Sequence, residues 1–123
     1  MGKELITQQT TSPLVGVQVL TASGELFNHV DDNGPMWSGE GDREVQVKLR
    51  FATDFQRPPH ITLGISGMDS SCAQNLRFAL AAENVTAVGF VIVFKTWGDT
   101  KIARASVNWS AIGQAVPGSA VRR

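Results

Sequence analysis

The plainest signal along the chain is an alternation of apolar and polar residues with a period of two. From Glu44 to Phe51 (EVQVKLRF), Val45, Val47, Leu49 and Phe51 fall on one side, and Gln46, Lys48 and Arg50 on the other. This predicts a strand with one face on a core and one in water. Arg57-Pro58-Pro59 forces an extended entry into a next strand, where Ile61, Leu63 and Ile65 alternate up to Gly67-Met68-Asp69. Leu76 to Glu83 predicts another strand, with Leu76, Phe78 and Leu80 inward and Arg77 outward. Phe90 to Lys95 (FVIVFK) is almost unbroken in apolar residues, which predicts burial on both faces. In so short a chain, the expected cover for the second face is another subunit. After a turn at Trp97-Gly98-Asp99-Thr100, Lys101 to Trp109 predicts a last strand with Ala103, Ala105, Val107 and Trp109 on one face.

The N-terminal third is less regular. Val15, Val17 and Val19 alternate with Gly16 and Gln18, Ala22-Ser23-Gly24 reads as a turn, and Leu26-Phe27 begins a second short apolar piece. His29 to Asp42 is rich in Asp, Asn, Gly and Ser, with Met36 and Trp37 inside it. That is loop chemistry, and the tryptophan favours a packed, ordered loop. Met1 to Pro13 carries no sustained period and is expected to be a tail or linker, leaving 14–123 as one domain. Ala73 to Ala82 alone competes as a helix, and its period fits a strand at least as well. About six strands separated by turn residues predict an all-β fold, an antiparallel β-sandwich.

Composition narrows the function. Apolar residues make up 42% and charged residues 18%, which fits a globular chain. Eleven basic residues balance eleven acidic ones, so no cationic excess points to nucleic acid or to an anionic membrane surface. No apolar run reaches the roughly 20 residues needed to span a bilayer. Met1 to Ser12 lacks the hydrophobic stretch of a signal peptide. Localisation stays open, with an extracellular or cell-surface place expected either through a removed leader or as part of a larger assembly. Cys72 is the single cysteine, so an intrachain disulfide is impossible.

Catalytic patterns are missing. There is no Gly-rich phosphate loop and no Gly-x-Ser-x-Gly elbow, and His29 and His60 lack metal-ligand spacing. Asp31-Asp32-Asn33-Gly34 reads as a turn, because the alternating acids of an EF-hand are missing. Asn84-Val85-Thr86 and Asn108-Trp109-Ser110 match the glycosylation sequon, a triplet that arises often by chance. The chain is therefore expected to be no enzyme and to need no cofactor.

One ordered series of short motifs remains. It runs from the apolar strand ending in Phe51 through Phe55 and Pro58-Pro59, Ile61 to Ile65, Asp69, Gln74-Asn75-Leu76-Arg77, Asn84-Val85-Thr86 and Gly89-Phe90. It ends with Thr96-Trp97-Gly98-Asp99-Thr100 and Val107-Asn108-Trp109-Ser110-Ala111-Ile112. The series resembles the H-type lectin domain of snail agglutinins and slime-mould discoidins over roughly the 70 residues from Val47 to Gly113. The resemblance implies a six-stranded antiparallel sandwich assembled as a homotrimer or a multiple of one. It also implies glycan partners, galactose-type sugars and typically N-acetylgalactosamine, bound near subunit interfaces.

Carried over by position, the resemblance makes Arg77 the sugar-binding arginine and Trp97-Gly98 the contacting turn. The sugar-binding acid lies in Ser38-Gly39-Glu40-Gly41-Asp42. An ungapped match selects Glu40, and a shifted loop selects Asp42. Ser38 belongs to the same candidate set. A guanidinium offers a planar fork of donors and a carboxylate accepts in matching spacing, which suits vicinal hydroxyls. Trp97 or Trp37 can pack on the apolar face of a sugar ring. Snail agglutinins carry a histidine after the turn tryptophan, where this chain has Gly98, so one ring contact is lost. The competing expectation is a structural trimerisation module of a larger surface or fibre protein that binds no sugar.

Overall fold

The computed structural model describes residues 8–12 and 14–117. Seven strands appear among them: β1 (Gln9–Thr11), β2 (Val17–Asn28), β3 (Arg43–Arg50), β4 (His60–Ser70), β5 (Ala79–Glu83), β6 (Gly89–Thr96) and β7 (Ile102–Gln114). Two one-turn helices, α1 (His29–Asp32) and α2 (Pro35–Ser38), lie between β2 and β3. The strands form two antiparallel sheets, ordered β1-β2-β7-β4 and β3-β6-β5. The expected all-β antiparallel sandwich is the architecture found.

The core fills the space between the sheets. Val107 and Trp109 of β7 meet Phe90, Ile92 and Phe94 of β6, with Phe51 at the end of β3. Trp109 is 3% exposed and lies edge-on to Phe90 at 5.2 Å. Each such aromatic, once buried, contributes roughly 1.5–3 kcal/mol. At the mouth of β6 a Cβ on Gly89 would sit 2.2 Å from the Leu49 carbonyl oxygen, so only glycine lets the β3–β6 ladder begin there.

Six sequence expectations change, the last in the N-terminal segment. The first concerns the phase of β2. Gln18, Leu20 and Ala22 are buried, while Val17 and Val19 lie half-buried on the other face. Gln18 is tolerated inside because its Nε2 donates to the Thr53 carbonyl at 3.0 Å. The second concerns Ala22-Ser23-Gly24, which is no turn. It pairs continuously with Trp109, Asn108 and Val107 of β7, and the register breaks only between Glu25 and Phe27. The ladder to β7 overrides the local turn preference.

The third change is in the loop from His29 to Asp42, which contains α1 and α2. Asn28 Oδ1 accepts from the Asp31 N–H at 3.2 Å and caps α1, while Asn33 ends it at φ 54°. The fourth is at β5, which starts at Ala79 rather than Leu76, and Leu76 is 49% exposed. Ahead of it, side chains take the place of a ladder: the Arg77 N–H donates to Thr100 Oγ1 at 3.1 Å, and Thr96 Oγ1 donates to the Arg77 carbonyl. Phe78, expected inward, is 37% exposed and stacks on the buried Phe94 at 5.5 Å.

The fifth concerns β6. Val91 and Val93 point away from the core, yet are only 8% and 2% exposed. They sit between Lys48 and Glu83, and between Gln46 and Ala81, on the neighbouring strands. Those flanking side chains cover them within one chain, so this burial needs no second subunit. Of the tail expected over Met1 to Pro13, residues 1–7 and 13 lie outside those described, and Gln9–Thr11 is β1, paired with Val19–Thr21 of β2.

Candidate functional site

Arg43 and Thr96 form the last pair of the β3–β6 ladder. The segment before β3 and the turn after β6 therefore emerge side by side at one end of the sandwich. The Gly41 N–H donates to the Gly98 carbonyl at 2.9 Å and ties them together. Both glycines have positive φ, 78° and 70°, which only glycine adopts without strain. Glu40 and Asp42 flank one end of this bond, and Trp97 and Asp99 the other.

Arg43 holds the arrangement from below. It is 8% exposed. Its Nε donates to the Gly41 carbonyl at 2.9 Å, its Nη1 reaches Gly39 at 3.0 Å and Pro35 and Met36 at 3.3 Å, and its Nη2 donates to Gly98 at 3.1 Å. A buried guanidinium normally needs a counter-charge. Here converging carbonyl dipoles receive it, two of them from Pro35 and Met36 of α2, of which the Pro35 oxygen also accepts from the Gly39 N–H at 2.8 Å. Lys101 adds a second cation, with Nζ 2.8 Å from the Gly39 carbonyl and 3.9 Å from a Glu40 carboxylate oxygen.

Arg77 lies across the turn. Its Nη1 donates to Asp99 Oδ1 at 2.7 Å and to Thr100 Oγ1 at 3.3 Å. Its backbone is pinned by Thr96 and Thr100, both 1% exposed, and Thr100 Oγ1 donates to the Asn75 carbonyl at 2.6 Å. A Cβ at Gly98 would meet Arg77 Nη1 at 3.0 Å and Cζ at 3.3 Å. The missing side chain at 98 is thus what lets the guanidinium rest on the turn. The bond from Arg77 holds the Asp99 carboxyl below the usual carboxylate range.

The other residues of the sequence-derived set occupy distinct places. Asp42 and Trp97 share a shallow depression of about 380 Å³ with Arg43, Glu44 and Lys95. Trp97 is 42% exposed, so its ring is available as a platform. Glu40 points instead toward Lys101. Ser38 Oγ donates back to the Gly34 carbonyl at 2.9 Å, which uses its proton inside α2. Gly98 is the hinge between the halves. Trp37 is half-buried.

Sequence reasoning missed Arg43, Lys101 and Asp99. Arg43 sits just before the clearest alternating run, and its partner Gly98 is 55 positions away. No local signal marks it. Asp99 lies within the quoted Thr96-to-Thr100 motif but reads as a turn residue. His29, at the far end of the loop, accepts from the Met36 N–H at 3.1 Å through Nδ1, and burial lowers its pKa against a smaller opposing pull from Asp32. Among the described residues no cluster of three or more His, Cys, Asp or Glu side chains could hold a metal ion. A larger concavity of about 690 Å³ lies on the outer face of the four-stranded sheet, lined by groups such as Thr21, Ser23, Thr62 and Asn108 and by no charged residue. The exposed indole of Trp97 is at the smaller one, with Asp42, Glu44 and Lys95; Arg77 lies outside its lining.

Comparison with known proteins adds relatives. A family model described as the H-type lectin domain matches residues 46–112, more than half of the chain. The chain is 46% identical over 97 residues to the protein named ATP synthase subunits region ORF 7 of Fuscovulum blasticum, covering 79% of this chain and 84% of that one. It is 33% identical over 75 residues to a discoidin-1 polypeptide of Dictyostelium discoideum, covering 60% of this chain and 30% of that protein's length. The structure of discoidin II from the same organism superposes with a TM-score of 0.70 at 20% identity, over 86% of this chain and 40% of that one.

Proposed function

The chain belongs to the H-type lectin domain family, and from that premise we propose that it is a carbohydrate-binding lectin without enzymatic activity, recognising galactose-type sugars such as N-acetylgalactosamine. Its sites lie near subunit interfaces of a homotrimer. Arg77 supplies donors to ring hydroxyls, Trp97 packs on the apolar face of the sugar, and Glu40 or Asp42 accepts from a hydroxyl. The backbone of Gly98 completes the contact, and Ser38 shapes the loop through its bonds to Gly34 and Asn33.

One observation carries this reading. A partly exposed arginine, an exposed tryptophan and two exposed acids gather around the Gly41–Gly98 hydrogen bond. Between Glu40 and Asp42, the depression shared with Trp97 favours Asp42 as the acceptor. Such a site buries few apolar atoms, so single-site affinity is weak. Linked sites in a trimer offset that, since avidity can add on the order of 10² to 10⁴.

A glycan array probed with the assembled protein tests the proposal. Galactose-type glycans give signal, Arg77→Ala loses it, and light scattering gives the mass of a trimer. A well-folded trimer silent across the array overturns it. That result favours the second reading, a structural trimerisation module, for which the observation is that Arg77 is already engaged by Asp99 beside the side-chain-free position 98.

A further inference from the structure

We infer that Asp99 contacts the sugar directly, forming with Arg77 a donor–acceptor couple that reads two neighbouring hydroxyls. The inference rests on the lectin reading above and adds to it a specificity-determining acid from the turn itself.

The geometry is that of a preformed hydroxyl reader. Arg77 Nη1 and Asp99 Oδ1 are 2.7 Å apart, which places a cationic donor beside an anionic acceptor. Their bond uses one N–H, and a second goes to Thr100 Oγ1. Nε and Nη2 carry no other hydrogen bond among the described residues, and beyond Arg77 the Asp99 carboxylate accepts only from its own backbone N–H. A guanidinium has five donors and a carboxylate about four lone-pair sites, so most of the capacity of the pair is unspent. Vicinal hydroxyls each donate and accept once, and they match such a couple with one oxygen toward the arginine and the other toward the carboxylate.

The couple is also accessible and held in place. The Asp99 side chain is 57% exposed and that of Arg77 31%. Arg77 is anchored through its backbone by Thr96 and Thr100, and its guanidinium rests on Gly98. Glu40 offers less, because its side chain is 76% exposed and meets only Lys101, at 3.9 Å. A longer, freer carboxylate loses more rotamer freedom on binding than one already held by an ion pair.

Titration of galactose, N-acetylgalactosamine and the monodeoxygalactose series against wild type, Asp99→Asn, Arg77→Ala and the remote surface control Glu83→Gln tests this. Asp99→Asn is expected to weaken galactose binding about tenfold, the scale of a lost hydrogen bond to a charged group, with its melting temperature unchanged. For one monodeoxy sugar the losses should not add: wild type is already weakened, and Asp99→Asn costs less than about twofold more. Losses that add for every deoxy sugar mean that Asp99 merely holds Arg77, which overturns the inference. So does Asp99→Asn binding like wild type while Arg77→Ala fails, a result that leaves the lectin reading standing. Wild type binding neither galactose nor N-acetylgalactosamine, or Arg77→Ala binding normally, removes the site reading itself.

Discussion

Arg43 Nη2 donates to the Gly98 carbonyl oxygen at 3.1 Å, joining the start of β3 to the turn after β6 across 55 positions of sequence. The same guanidinium reaches the carbonyls of Pro35, Met36, Gly39 and Gly41. It works as a built-in cation around which both halves of the candidate site are wrapped.

Replacing it takes one donor from each of those carbonyls; Gly98 keeps the Gly41 N–H, Gly39 keeps Lys101 and Pro35 keeps the Gly39 N–H, while Met36 and Gly41 lose theirs. Arg43→Met is therefore expected to destabilise the fold by about 3 kcal/mol, the range for removing one side of a buried, hydrogen-bonded charge. The Gly41 amide, which donates to Gly98, should exchange faster in the same variant. Urea denaturation and amide exchange measure both. A cost below about 1 kcal/mol would mean that the guanidinium does not hold the loop.

Gly98 is constrained twice, by φ of 70° and by the Arg77 guanidinium resting on it. Gly98→Ala should cost about 1–2 kcal/mol through the strained backbone alone. It should also push Arg77 off the turn and let the Asp99 carboxyl return toward the ordinary range. Carbon-13 NMR of the Asp99 carboxyl through an acid titration reads the second effect. An unmoved titration would show that a methyl at 98 does not part the two side chains.

Thr100 offers a cleaner probe of how Arg77 is set. Its buried hydroxyl accepts from the Arg77 N–H and donates to the Asn75 carbonyl. Thr100→Val keeps the shape and removes those bonds, leaving part-buried backbone groups unpaired at a cost of about 1 kcal/mol. Sugar affinity should fall with stability, since the arginine is no longer anchored. Restoration of both by Thr100→Ser would confirm that the hydroxyl, and not the methyl, matters.

Acid should loosen the other end of the loop. Burial lowers the pKa of His29 in the folded state, with the attraction of Asp32 opposing in part. The neutral ring is favoured when folded, where Nδ1 accepts from Met36. Stability from this group is therefore present above the ordinary imidazole value and lost as pH falls through the depressed folded value. Melting curves between pH 7 and pH 5 should show a drop that is smaller in His29→Gln. Equal slopes in the two proteins would contradict the assignment.

Much of the fold was legible because period-two patterning is a local property. Val45, Val47 and Leu49 against Gln46 and Lys48 already tell which side of β3 faces the core, and Ala105, Val107 and Trp109 do the same for β7. β2 was misread because Gln18 is buried, and its burial depends on the Thr53 carbonyl, which no pattern around Gln18 reveals. The start of β5 was misread because two threonine hydroxyls replace the ladder at Arg77.

The sequence by itself determined the all-β class, the inward faces of the regular strands and, through the order of its motifs, a family resemblance that points to Arg77 and the Trp97-Gly98 turn. Tertiary structure alone decided how those residues are presented: Arg77 lies on Gly98 and pairs with Asp99, Asp42 shares a depression with Trp97, and Arg43 binds the two loops. The reason is physical. A side chain's preference for core or water can be read from its neighbours in sequence. The satisfaction of a buried charge or a backbone carbonyl depends on groups that only folding brings within about 3 Å.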